Sequence, residues 1–184
     1  MDKLEKYKTI SEFLNSWLKV FAVIAAGLIT VSEYYEHKEG EQVKLTLDYV
    51  DRYNSGKLFD MKNDLDMTLD EENQTLVSTL SQKGLSEAEM EKAYRAVILQ
   101  IVEKHHLSLQ LKTLLGFHEQ VVLCVNTALC NEQVARDFFT TDAKELFNGF
   151  YPFICEERRK WKNDKVGQRV ERFYIKASGN VCVK

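Results

Sequence analysis

Hydrophobic positions recur at helical spacing through most of the chain, and one stretch is apolar all round. Residues Phe13 to Ser32, FLNSWLKVFAVIAAGLITVS, contain a single charge, Lys19, and the 13 residues from Val20 to Ser32 contain none. A hydrocarbon core of about 30 Å takes roughly 20 mostly apolar helical residues. The stretch predicts a transmembrane anchor over residues 13–35. Phe13 and Trp17 before the run and Tyr34 and Tyr35 after it sit where interfacial aromatic belts form, and Lys19 is near enough to one end to snorkel. Ala22, Ala26 and Thr30, four apart, put small side chains on one stripe suited to helix association in lipid. The competing reading is a buried element of a soluble helical bundle. A cleaved signal peptide fits less well, because the first 19 residues mix both charges and no small-residue cleavage site follows.

The remaining pattern predicts an all-α chain in which a transmembrane helix continues into, or hinges to, a cytoplasmic helical bundle. Residues 1–12 read as a lead-in and 36–56 as a stalk helix. Gly40 is a candidate hinge, and Asn54-Ser55-Gly56 is the stop. Residues 57–177 read as the helical domain and 178–184 as a tail. Within the domain, residues 57–83 suggest two short helices flanking an acidic run, Asp64 to Glu72, taken as a solvated linker or helix start. Ser86 and Glu89 form a capping box ahead of Met90, Tyr94, Val97, Ile98, Ile101 and Val102 at helical spacing. The run LSLQLKTLLGFHEQVVLCVNTALC predicts a central buried helix, with Asn131 capping the next. Asp142 to Glu145 suggests a further start. Pro152 suits the first turn of PFICEERRKWK, and VERFYIKA reads as helix or strand.

Composition supports the helical class, since one Pro and 8 Gly in 184 residues leave little turn punctuation for an all-β fold. The net charge of −3 is unevenly spread. Residues 33–155 carry 12 basic and 21 acidic side chains, whereas residues 156–184 carry 9 basic and 4 acidic. Such contrast marks a segment that meets an anionic partner, or packs on an acidic body. Cys124, Cys130, Cys155 and Cys182 lack C-x-x-C spacing and read as buried free thiols of a reducing compartment. With the basic tail, they place the domain on the cytoplasmic side of the membrane.

The apolar helix followed by YYEHK, then LDYVDRYNSG and, much later, FNGFYPFICEERRK, resembles an uncharacterised family of small bacterial proteins. The resemblance implies one amino-terminal membrane helix, a helical domain of unknown function and a bacterial or phage origin, which makes the expected location the bacterial inner membrane, crossed once. It brings no catalytic residues with it.

Sequence motifs for chemistry are sparse. His118-Glu119 has Val122 where an H-E-x-x-H zinc site needs its second His, and His105 and His106 are adjacent and suit a helix end. Cys124 lies six residues from His118, on a different helical face. Neither a phosphate-cradling loop nor a nucleophile elbow occurs. No catalytic residue, metal ligand or cofactor is assigned. The most site-like polar run holds Arg158, Arg159, Lys160, Trp161 and Lys162, a combination suited to a nucleotide, a nucleic-acid strand or anionic headgroups. The functional expectation is a membrane-anchored, non-enzymatic interaction or effector protein that self-associates. Its partners would be the lipid bilayer, further copies of itself and a cytoplasmic protein, and its setting a bacterial defence or stress system. The alternatives are a membrane-tethered nucleotide or nucleic-acid sensor and a soluble helical bundle.

Overall fold

The computed structural model describes residues 2–81, 86–175 and 182, with side chains described at Phe21 and from Ile24 onward. All regular structure among them is helical. The elements are α1 (Asp2–Tyr53), α2 (Gly56–Leu80), α3 (Glu87–Lys104), α4 (Ser108–Asn126), α5 (Glu132–Gly149), α6 (Tyr151–Trp161), the short α7 (Gln168–Val170) and a π-helical turn, Glu171–Ile175. The chain divides into two compact units, Met1–Glu41 and Gln42–Lys184.

In the first unit the side chains of Phe21, Ile24, Leu28, Ile29, Val31, Tyr34 and Tyr35 are all exposed. The membrane-spanning segment expected over residues 13–35 is overturned: among the described residues, no helix is long and apolar enough to cross a membrane. The physical reason is length. Thirteen uncharged residues make about 20 Å of helix at the standard rise, short of the roughly 30 Å needed. Glu33 follows at once, with Glu36, Lys38, Glu39 and Glu41 behind it. The transmembrane-plus-bundle architecture and the single-pass inner-membrane location fall with the span. Of the residues assigned to the membrane interface and to helix association in lipid, Tyr34, Tyr35, Ala26 and Thr30 are exposed. The side chains of Phe13, Trp17, Lys19 and Ala22 lie outside the described residues.

The second unit is built around α4. Its apolar positions come so close together that Leu111, Leu114, Leu115, Phe117, Val121 and Val122 are all buried. That requires neighbours on several sides, and α2, α5 and α7 supply them. Helix α3 lies against α2 and α6, turning Val97, Ile98, Ile101 and Val102 inward. Its start is the capping box: the Ser86 hydroxyl accepts from the Glu89 amide while the Glu89 carboxylate accepts from the Ser86 amide. Asn131 accepts from the Val134 amide at 3.0 Å to start α5. Helix α5 then runs without interruption through Asp142 to Glu145. Pro152 lies in the first turn of α6.

Residues 56–80 form one helix, α2, instead of the two short ones expected. The acidic run is held by tertiary partners: Glu72 is buried and accepts from Lys104 and His105 at the end of α3. Hydrogen bonds from Lys104 and then His105 hold the Glu72 carboxyl down at about 2. The cysteines differ from expectation as well. Cys124 pairs with Cys130 and Cys155 with Cys182, so they are disulfides and not free thiols. Their pairing removes the thiol argument for a cytoplasmic domain.

Candidate functional site

Three helices and the end of α1 surround a cleft of about 270 Å³ in the second unit. Tyr53 comes from the last residue of α1, where Asn54-Ser55-Gly56 stops the helix; Gly56 has φ +61°, a conformation that favours glycine. Lys62 and Asp66, one turn apart on α2, face Asp142 and Glu145, three apart on α5. Leu65, Leu114 and Phe150 provide apolar lining. The Lys62 ammonium lies 3.3 Å from the Asp142 carboxylate. Burial, then the Asp142 carboxylate, pushes the Tyr53 phenol far up, so it stays protonated. Burial also raises Asp66; Lys62 opposes the rise while Asp142 and Asp70 add to it. The cleft therefore suits hydrogen bonding and charge pairing, and its one phenol is held in the un-nucleophilic form.

His118 on α4 is the other unusual group. It is fully buried, with Tyr53, Phe117, Phe139 and Tyr174 rings around it at centroid distances of 5.4 to 6.2 Å. Among the described residues, neither of its ring nitrogens has a hydrogen-bond partner. Burial lowers the imidazole to about 4; Asp142 works against the shift and Lys62 with it. His118 is thus a neutral core residue. Cys124, in its disulfide, offers no thiolate for it to activate. His105 bonds Glu72 at 2.8 Å and caps α3, and His106 takes a left-handed conformation at the same end. Among the described residues, no group of three or more His, Cys, Asp or Glu side chains is arranged to hold a metal ion.

The structure splits the basic run of α6 into two sets. Arg158 points inward, where it is buried and pairs with Glu171 of the π-helical turn at 2.8 Å while donating to the Val166 carbonyl at 2.7 Å. That geometry exists because the chain turns after Trp161 and Gly167, at φ +67°, brings residues 166–171 back; a Cβ on Gly167 would meet Leu115 and Phe147 at 3.4 Å. Arg159 is exposed but forked onto Glu156. Trp161 is exposed, not buried, and donates to Glu157, which also holds Lys112 at 2.7 Å. Lys160 lies over the Trp161 ring at 5.8 Å and Lys162 ends the helix in a left-handed conformation. The five residues do not form one continuous cationic surface.

A family model described as a domain of unknown function (DUF4760) matches residues 9–176. The chain belongs to this family. No curated protein and no solved structure matches it. The family is thus uncharacterised, as the sequence resemblance implied, and it assigns no role to any residue.

Sequence reading missed the cleft, because it joins carboxylates from α2 and α5 that are distant in the chain. The available signals were local: Lys62 and Asp66 share a helical face, as do Asp142 and Glu145. It also missed the Arg158–Glu171 pair, which no helical spacing encodes.

Proposed function

We propose that this DUF4760 protein is a non-enzymatic helical interaction protein that docks through the apolar surface of α1 between Phe21 and Tyr35. One observation carries the reading. Phe21, Ile24, Leu28, Ile29, Val31, Tyr34 and Tyr35 are each more than half exposed within a single stretch of helix. Scattered exposed leucines need no explanation, but a contiguous apolar surface of several hundred Å² marks an interaction site. At about 25 cal/mol per Å², leaving it in water is costly enough to favour a covered state. A non-catalytic role also fits the placement of His118, Cys124 and Tyr53, each engaged or buried in a form unsuited to nucleophilic or base chemistry. Part of the proposal is that docking serves a bacterial defence or stress response and includes association between copies.

Hydroxyl-radical footprinting tests the reading. Phe21, Tyr34 and Tyr35 should be modified freely in dilute purified protein and be protected inside cells. Equal modification in both settings would remove the docking role. Binding of nucleotide or nucleic acid through α6 has less support, because Arg158, Arg159 and Trp161 are already bonded to Glu171, Glu156 and Glu157.

A further inference from the structure

The exposed apolar side chains of α1 are periodic. Phe21, Ile24, Leu28, Val31 and Tyr35 alternate spacings of three and four, which confines them to about 80° of the circumference at 100° per residue. Ala26 and Thr30 fall on the opposite side, the Thr30 hydroxyl donating back to the Ala26 carbonyl. In sequence, the same alternation continues towards the amino terminus through Trp17, Leu14 and Ile10. A repeat of 3.5 residues is the seam of a left-handed coiled coil, in which helix partners supercoil to keep that seam in register.

The charged positions decide the kind of partner. Between Ile10 and Tyr35 the only charges are Glu12, Lys19 and Glu33. By the heptad register all three take the position farthest from the seam. The positions flanking the seam carry Leu18, Val20, Ala25, Gly27, Ser32 and Tyr34, none of them charged. Two copies paired along this seam meet no like-charge repulsion, and the flanks offer no charges with which to select a different, oppositely charged helix. The seam stops at Lys38, the next core position, where self-pairing would oppose two ammonium groups. With exposures from 52% to 67%, the five described seam residues would lose on the order of 600 Å² per chain, close to the roughly 800 Å² per partner of a standard interface.

We infer that the occupant of this face is a second copy of the same chain, joined as a coiled coil along the seam from Phe21 to Tyr35. The inference rests on the docking role proposed above and names its partner. A lipid surface also places charges on the far face of a helix, and it is separated from a second copy by the vesicle arm of the test below.

The test is the mass of the full chain in detergent-free buffer, by sedimentation across low to high micromolar concentrations. The wild type should approach twice the 21.4 kDa chain mass. Leu28→Asp, in the seam, should raise the dimer dissociation constant by about 100-fold, whereas Ala26→Lys, on the far side, should leave it unchanged. Both positions are exposed, so the body should fold in each variant, as checked by its thermal unfolding. A monomeric wild type overturns the named partner but not the docking role. Dimers that persist equally in both variants place the contact elsewhere and count against both. A monomer that floats with anionic phospholipid vesicles overturns the inference in favour of lipid.

Discussion

Helix α4 and the Phe21–Tyr35 stretch of α1 are both long apolar runs, and their surroundings are opposite. In α4 most apolar side chains, from Leu111 to Val122, are buried against α2, α5 and α7, with Leu109 and Leu123 left exposed, and polar positions such as Lys112 and Glu119 carry ion pairs at the edges. In α1 the apolar side chains between Phe21 and Tyr35 stand exposed. Apolarity alone does not distinguish the two cases. The packing around them does: α4 has α2, α5 and α7 against it, while the described large apolar side chains between Phe21 and Tyr35 are each more than half exposed. A helix closed by its own chain and a helix that awaits another can have similar composition.

The largest contrast is in stability. Phe139 is 1% exposed and packs against Tyr53, Phe117 and His118. Phe139→Ala should cost about 3–5 kcal/mol of unfolding free energy by chemical denaturation. A loss below about 1 kcal/mol would mean that the core around α4 is not closed.

The next effect, about 3 kcal/mol, is acid sensitivity centred on α4. His118 titrates near 4 in the folded chain against 6.5 ordinarily. Between those values the unfolded chain binds the proton and the folded chain does not, so stability is complete above about 6.5 and declines as pH falls towards 4. His118→Phe should remove that part of the decline, leaving the separate loss at lower pH as Glu72 is protonated. An unchanged profile would mean that the imidazole is not buried in its neutral form.

The smallest effect belongs to α1. Leu28→Ala, at a side chain 67% exposed, should change the unfolding free energy of the second unit by less than about 0.5 kcal/mol. A loss comparable to that of Phe139→Ala would erase the distinction between the two helices.

Much of the second unit was legible because local rules and tertiary structure agree there. The Ser86–Glu89 box, the Asn131 cap, the stop at Asn54-Ser55-Gly56 and Pro152 all act at the positions their chemistry implies. The acidic run on α2 was misread as a linker because Glu72 is satisfied by Lys104 and His105 of another helix. The Cys155–Cys182 disulfide was invisible for the same reason: its cysteines are 27 residues apart and meet only after the chain turns back. The Arg158 of the basic segment was read by its neighbours in sequence, whereas Glu171 fixes its direction. In α1 the total apolarity was read as a lipid signal, although its uncharged core of 13 residues is too short to cross a bilayer. The cleft joining Lys62, Asp66, Asp142 and Glu145 had no signature beyond one-turn spacings.

Amide hydrogen exchange mapped along the full chain at increasing protein concentration compares the two regions most directly. Protection of residues 21–35 should rise with concentration, while protection of α4 should stay constant. Protection of residues 21–35 that is independent of concentration, or that rises in step with α4, would contradict the picture of a closed body and a self-pairing helix.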